Sequence, residues 1–352
     1  MNWFLRVLLA PFSLLWYMGA SVRNHVYDIG QKSVVEFTIP VITVGNLTVG
    51  GTGKTPMIEY LLRLLRSDYQ VSTLSRGYGR RSKGFLLAGP EDHAGTLGDE
   101  PFQLYRKFAP EVQVAVCEDR VYGIPCILME QPEVNLVLLD DAMQHRPAGA
   151  DITIMLSDYN RPFYEDWVLP AGRLREPRKG ARRADIIVVT KCPENIGQEE
   201  REQIEAAVKV YTRPETPVFF SWQVYDDLVP FGESRDIQRP EKVLVVTGIA
   251  RTDSLMSYLR EQYDVLGHLE YTDHFTYKTG DVARIRAKAA ELGAAVLCTE
   301  KDAVKLMHPD LRESWGDTSC WYLPMRMELG EAGAKFDAIL RNSLQKAIET
   351  KD

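Results

Sequence analysis

One loop limits the folds open to this chain. Gly45-Asn-Leu-Thr-Val-Gly-Gly-Thr-Gly-Lys-Thr-Pro56 follows the apolar run 39–44 directly and leads into apolar residues at helical spacing from Met57. A glycine-dense turn between a strand and a helix is a phosphate cradle. Its glycines turn backbone N–H groups inward with no Cβ in the way, and the helix presents its positive end to the same anion. Gly50, Gly51, Thr52 and Gly53 supply the loop, Lys54 reaches toward the β- and γ-phosphates of ATP, and the Thr55 hydroxyl suits Mg²⁺. The strict motif has glycine where this chain has Thr48, with Gly45 three residues earlier. A plain glycine-rich β–α turn is the alternative, and the strand before and helix after argue against it.

The rest of the sequence has the rhythm such a loop requires. Short β-branched runs at 41–44, 70–74, 112–116, 134–139, 152–156 and 186–190 alternate with helical patterns at 54–66, 100–108, 119–130 and 198–210, as in a parallel sheet covered on both faces. Prolines and aromatics break the pattern across 212–240, and alternation resumes with strands at 243–247, 265–269 and 295–299 and helices at 253–262, 280–292 and 331–348. The class predicted is α/β, with two α/β/α domains. The first is a P-loop NTPase-like parallel sheet over 29–211, joined by a short β linker at 212–240 to a C-terminal α/β domain at 241–352. A membrane-associated N-terminal helix occupies 1–28.

That helix is read from residues 3–20, which are apolar but for Arg6, Pro11 and Ser13. A signal peptide would end at a small-x-small site that Met18-Gly-Ala20 supplies poorly, and export would strand an ATP site. A spanning helix has the length but carries Arg6 and Pro11. An interfacial helix puts Trp3, Trp16 and Tyr17 at the headgroups and Arg6 and Arg23 toward anionic lipid. An ordinary buried helix is the remaining reading. The net charge of −7 argues against general nucleic-acid binding. The five cysteines form no C-x-x-C pair, and three lie in apolar runs, as buried thiols of a cytosolic protein do.

Several clusters carry chemistry. Asp140-Asp141 ends the apolar run 136–139, at the strand edge where ligands of open α/β sheets bind, and either carboxylate can hold Mg²⁺; a solvated strand-end turn is the plainer alternative. Gln144-His145 follows at once. Gly98-Asp-Glu-Pro101 opens a helix, so Asp99 is either a cap or an acid placed for chemistry. Thr272-Asp-His-Phe275 sets His274 beside an acid; a carboxylate and a histidine together can take a proton from a hydroxyl, while His274 alone reads equally well as a hydrogen-bonded structural residue. Leu169-Pro-Ala-Gly-Arg-Leu-Arg-Glu-Pro177 runs on into Arg178, Lys179, Arg182 and Arg183, a basic segment suited to an anion, with Arg175 for a phosphoryl group and Glu176 for the metal shell. Arg76, Arg80 and Arg81 form a second basic turn, and lysines end the strands at Lys191 and Lys301.

Taken together, Val44 to Pro56, Leu74-Ser-Arg-Gly-Tyr-Gly-Arg80, Gly98 to Pro101, Asp140-Asp-Ala-Met-Gln-His145, Leu169 to Pro177, Val246-Thr-Gly-Ile-Ala-Arg251, Asp273-His274 and Lys301-Asp-Ala-Val-Lys305 resemble the tetraacyldisaccharide 4′-kinases of lipid A biosynthesis across nearly the whole chain. The resemblance implies transfer of the ATP γ-phosphoryl group to the 4′-hydroxyl of a tetraacyldisaccharide 1-phosphate at the cytoplasmic face of the inner membrane. It also implies that Asp99 and His274 activate the hydroxyl, that Lys54 and Arg175 serve the phosphates, and that Thr55, Asp140, Asp141 and Glu176 serve Mg²⁺. The partners it implies are the acylated disaccharide and the membrane surface, with no nucleic acid. Two other readings share the cradle: a P-loop GTPase or metallochaperone, for which Thr190-Lys-Cys-Pro193 is a poor base-recognition loop, and a nucleotide-gated membrane adaptor without catalysis.

Overall fold

The computed structural model describes residues 3–232, 238–273 and 275–351. Helix α1 (Trp3–Asp28) precedes a β/α series that opens with β1 (Val41–Asn46), α2 (Lys54–Leu65) and β2 (Val71–Ser75). It continues through a two-residue β3 (Leu86–Leu87), a one-turn α3 (Ala94–Leu97), α4 (Asp99–Phe108), β4 (Gln113–Val116), α5 (Arg120–Glu130), β5 (Leu136–Asp140), β6 (Ile152–Asp158), β7 (Ile186–Thr190), α6 (Gln198–Lys209) and β8 (Val218–Phe220). The eight strands lie in the order β3-β4-β2-β5-β1-β6-β7-β8. All pair in parallel except the antiparallel edge strand β3. β1, β2, β5 and β7 are buried at every residue; β5 and β7 accordingly read as near-continuous apolar runs, while β2 also buries Ser72, Thr73 and Ser75.

Alternate residues of these strands feed opposite faces. Ile42, Val44, Leu138 and Ile154 pack with Met57, Ile58 and Leu61 of α2 and Leu104 and Phe108 of α4. Val41, Val137 and Leu139 meet Ile124 and Ile127 of α5, and Ile187 meets Val208 of α6.

The segment expected as a linker serves both halves. β8 closes the first sheet, β9 (Trp222–Tyr225) forms a separate ribbon, and β10 (Val229–Phe231) starts the second sheet. That sheet holds β11 (Lys242–Thr247), α7 (Asp253–Gln262), β12 (Asp264–Glu270), α8 (Thr279–Leu292), β13 (Ala295–Thr299), α9 (Glu300–Leu306), α10 (Pro309–Arg312) and β14 (Cys320–Leu323), in the strand order β10-β14-β13-β11-β12. β15 (Met325–Glu328) then pairs antiparallel with β9, and α11 (Gly333–Lys351) ends the chain. Two chain segments therefore cross between the sheets side by side. All four buried cysteines are free thiols, and Cys126 is half-buried.

The helix expected at 331–348 sits with the other half. Phe336, Leu340 and Leu344 of α11 are buried in the first sheet's core beside Met57 and Leu61, with Phe336 edge-on to Tyr60 and Phe219. The i, i+4, i+8 stripe was legible; its partner was not, because periodicity identifies the apolar face and says nothing of what covers it. Phe336→Ala is accordingly expected to destabilise the first half of the chain by about 3–5 kcal/mol, measured by urea denaturation.

Candidate functional site

The Gly45–Pro56 loop departs from the carboxyl end of the central strand β1. Gly50 and Gly53 take φ of 109° and 85°, which admit glycine with little strain, and Gly53 stands as the N-cap of α2 with no side chain bonded to the free amides of the first turn. Lys54 and Thr55 open that helix, and Pro56 falls where no intrahelical N–H is required. The loop is braced on all sides. Asn46 Nδ2 donates to Thr48 Oγ1 at 3.3 Å and to Thr52 Oγ1 at 2.8 Å. Thr190 Oγ1 donates to the Thr52 carbonyl at 2.8 Å, the Val49 amide to the Arg173 carbonyl at 2.8 Å, and the Arg175 amide to the Leu47 carbonyl at 2.7 Å. Lys191, a strand-end lysine suggestive of base recognition, instead donates to the Gly51 carbonyl and pairs with Asp158 at 2.7 Å.

Neighbouring β5 delivers the acid pair. Asp141 holds φ of 48°, a left-handed conformation that costs a non-glycine residue of order 1–3 kcal/mol. It aims its carboxylate at Arg175, which donates through Nη1 at 2.9 Å and Nη2 at 3.0 Å, while Lys54 Nζ lies 3.7 Å away. Burial pushes the Asp141 carboxyl up, but Lys54 and the bidentate Arg175 outweigh it and hold the group below its ordinary value. Asp140 behaves oppositely. Burial, then the nearby Glu100 charge, push it up to about 7 against the pull of Lys54, and its Oδ1 is buried without a hydrogen-bond partner. Arg120, 4% exposed, donates to the Asp140 carbonyl at 3.4 Å.

Lys54, Asp141, Arg175 and Asp140 are thus brought together, with Thr55 next to Lys54 in the first turn of α2. Asp99 is the first residue of α4, half-buried, and Gly98 just before it is pressed against Gly77 and the Tyr78 carbonyl, in the loop that leaves the carboxyl end of β2. His274 lies outside the described residues.

Glu176, expected in the metal shell, is held by several donors. It is wholly buried, and its oxygens accept from Arg183 Nη2 at 2.6 Å, Gln144 Nε2 at 2.9 Å and Asn24 Nδ2 at 2.7 Å. Two donors on Oε1 and one on Oε2 tie the carboxylate to three other segments of the chain, and it acts as the peg on which those residues are hung. Gln144 passes the connection on, accepting from Arg175 Nη1 at 3.0 Å and donating to the Asn46 carbonyl at 2.8 Å.

Asn24 belongs to α1, which docks on the same segment: the Trp16 indole donates to the Arg175 carbonyl at 2.9 Å, and Ser13 Oγ bridges the Val168 carbonyl and the Ala171 amide. Arg146 holds the end of α1 through the Asn24 carbonyl and Asp28, while a large apolar side of the helix is bare, with Trp3 75% and Phe4 70% exposed and Leu8, Phe12 and Leu15 close behind. The helix is long and apolar enough to cross a membrane. Sequence reading missed Arg120 and Asn24. Arg120 carried the faint signal of a basic residue two positions after a strand-end acid; Asn24, at the polar end of an apolar helix, carried none.

A parallel sheet whose central strand runs into this loop, with charges of both signs converging at its mouth, defines a P-loop nucleotide-binding protein. Comparison with known proteins narrows the class. The family model of tetraacyldisaccharide-1-P 4′-kinase matches residues 5–345, and the chain belongs to that family. It is 41% identical to the tetraacyldisaccharide 4′-kinase of Flavobacterium psychrophilum over 348 residues, 98% of either chain. It is 38% identical to that of Bacteroides fragilis over 335 residues, 91% of this chain and 88% of the other. Among solved structures, "apo" form LpxK from Aquifex aeolicus in complex with ATP aligns with a TM-score of 0.75 at 31% identity, covering 97% of this chain and 99% of that one.

Proposed function

We propose that this chain transfers the γ-phosphoryl group of ATP to the 4′-hydroxyl of a tetraacyldisaccharide 1-phosphate. The observation that carries the reading is the convergence of Lys54, Arg175 and the uncapped start of α2 on one point, three positive features that match a polyphosphate. Phosphoryl transfer asks a protein mainly for position and charge neutralisation, and this cluster offers both. ATP as donor is supported by the Aquifex aeolicus relative, whose structure is of a complex with ATP. Acceptor-dependent ATP consumption by the purified protein, in mixed micelles with the disaccharide, tests the proposal. A GTPase or metallochaperone would not respond to this acceptor, and an adaptor would consume no ATP.

The residues present fit a divalent cation. Asp140 has an unpartnered buried oxygen and a charge disfavoured by its surroundings, and the Thr55 hydroxyl is a second hard oxygen donor. No group of three His, Cys, Asp or Glu side chains suited to a metal occurs among the described residues, and Mg²⁺ characteristically takes one or two carboxylates with substrate phosphates. Mg²⁺ bound here would neutralise phosphate charge; Asp140, Asp141 and Thr55 would hold it, and Glu176 would keep Gln144 and Arg183 in place. Asp140 must be ionised to bind a cation, so binding releases its proton and strengthens as pH rises. With the carboxyl titrating at about 7, Mg²⁺–nucleotide affinity is expected to rise about tenfold from pH 6 to pH 8. Calorimetry with a non-hydrolysable ATP analogue measures this, and Asp140→Asn should flatten the profile.

Asp99 and His274 are proposed to take the proton from the acceptor hydroxyl, the two arriving from different halves of the chain. The exposed apolar side of α1, about 39 Å of helix, suits the surface of the inner membrane on its cytoplasmic side, where ATP and an acylated acceptor meet. Because α1 also bonds to Arg175 and Glu176, membrane docking and phosphate binding share one segment.

A further inference from the structure

Helix α1 meets the 168–176 segment along one side. Ser13, Trp16 and Asn24 share that side at helical spacing, while Phe4, Leu8, Phe12 and Leu15 share another. Ser13 is the one residue of α1 that is buried, so the helix is held to the segment chiefly by directional bonds. Asn24 is fixed at both ends: Arg146 Nη1 donates to its carbonyl at 2.9 Å, and its own Nδ2 donates to Glu176 Oε2 at 2.7 Å. The Asn24 Oδ1 is buried with no hydrogen-bond partner. An orphaned buried acceptor is unfavourable, so an amide is a poor choice here for packing alone. What it supplies is one donor aimed at Glu176.

From Glu176 an unbroken chain of bonds leads to the phosphate site. Its Oε1 accepts from Arg183 Nη2 at 2.6 Å and from Gln144 Nε2 at 2.9 Å. Gln144 Oε1 accepts from Arg175 Nη1 at 3.0 Å, and the Arg175 guanidinium closes on Asp141 at 2.9 and 3.0 Å. The Arg175 backbone is held as well. Its amide donates to the Leu47 carbonyl of the phosphate loop at 2.7 Å, and its carbonyl accepts from the Trp16 indole at 2.9 Å. Arg175 is thus tied to the phosphate loop on one side and to α1 on the other, while its side chain is reached from α1 a second time, through Asn24, Glu176 and Gln144.

A partner that orients a functional group fixes its geometry without touching the ligand. We infer that Asn24 and Trp16 are positioning residues in α1 that aim the Arg175 guanidinium at the phosphates, so the helix with the bare apolar side is also part of the phosphate site. This rests on the proposed role of Arg175, and the experiment separates the two.

Steady-state kinetics in mixed micelles should show kcat/KM for ATP lowered about ten- to a hundredfold in Asn24→Ala, the scale of a lost orienting partner. Trp16→Phe, which keeps an aromatic ring and removes only the indole donor, should show a smaller loss in the same direction. For Asn24→Ala, KM for the disaccharide should stay within about twofold and flotation with phospholipid vesicles should be unchanged, because the apolar side of α1 is intact. In an Arg175→Ala background, Asn24→Ala should cause no further loss, since a residue that acts by aiming Arg175 has nothing left to aim. Wild-type kcat/KM in both single variants beside a crippled Arg175→Ala would overturn the positioning role and leave the proposed function standing. The same fractional loss from Asn24→Ala with or without Arg175 would overturn it too, marking a general structural effect, as would a loss confined to vesicle binding or to KM for the disaccharide. A fully active Arg175→Ala would remove both the role of Arg175 and this inference.

Discussion

Asp99→Ala and His274→Ala are each expected to lower kcat by about 10²- to 10⁴-fold, with far smaller effects on ATP affinity. The pair is about 175 residues apart in sequence, and general-base assistance is worth most when the base meets the hydroxyl only in the closed complex. The double variant should be little worse than the poorer single, because two groups that act as one unit are lost together. Additive losses would mean independent roles, and a large rise in KM for ATP in either single would move that residue to nucleotide binding.

Lys54→Ala should cost roughly 10²- to 10³-fold in kcat/KM with the fold intact. Lys54 faces the mouth of the loop, and its removal takes one positive charge from the phosphate site and one of the three, with Arg175 and Arg120, that restrain Asp141. With Arg175 still bidentate to Asp141, the acid pair should keep its geometry, so circular dichroism and the denaturation midpoint should match the unaltered protein. Near-normal turnover in Lys54→Ala would defeat the assignment of the cradle.

The phosphate loop was legible in sequence because all its parts are contiguous: glycines, lysine and threonine occupy twelve consecutive positions, and their spacing carries the geometry. Parallel strands such as β5 and β7 were legible for the related reason that burial on both faces leaves near-continuous apolar runs. The partners of Glu176 were not legible, because only the fold brings Asn24, Gln144 and Arg183 to it, from as far as 152 residues away. Asp302 is a second case. Its motif was visible in sequence, but the donors that meet on it, Gly248, Tyr277 and Thr299, come together only in the fold. The place of α11 was hidden for want of any local signal naming the sheet it covers.

The central claim is that the phosphoryl group ends on one particular hydroxyl of a lipid. The direct measurement is to incubate the purified protein with isotopically labelled ATP, Mg²⁺ and the tetraacyldisaccharide 1-phosphate, and to locate the label in the lipid product by mass spectrometry and phosphorus NMR. The expected result is one new phosphomonoester at the 4′ position for each ATP consumed, absent with Lys54→Ala. Label released only as inorganic phosphate, or found at any other position of the disaccharide, would contradict the account.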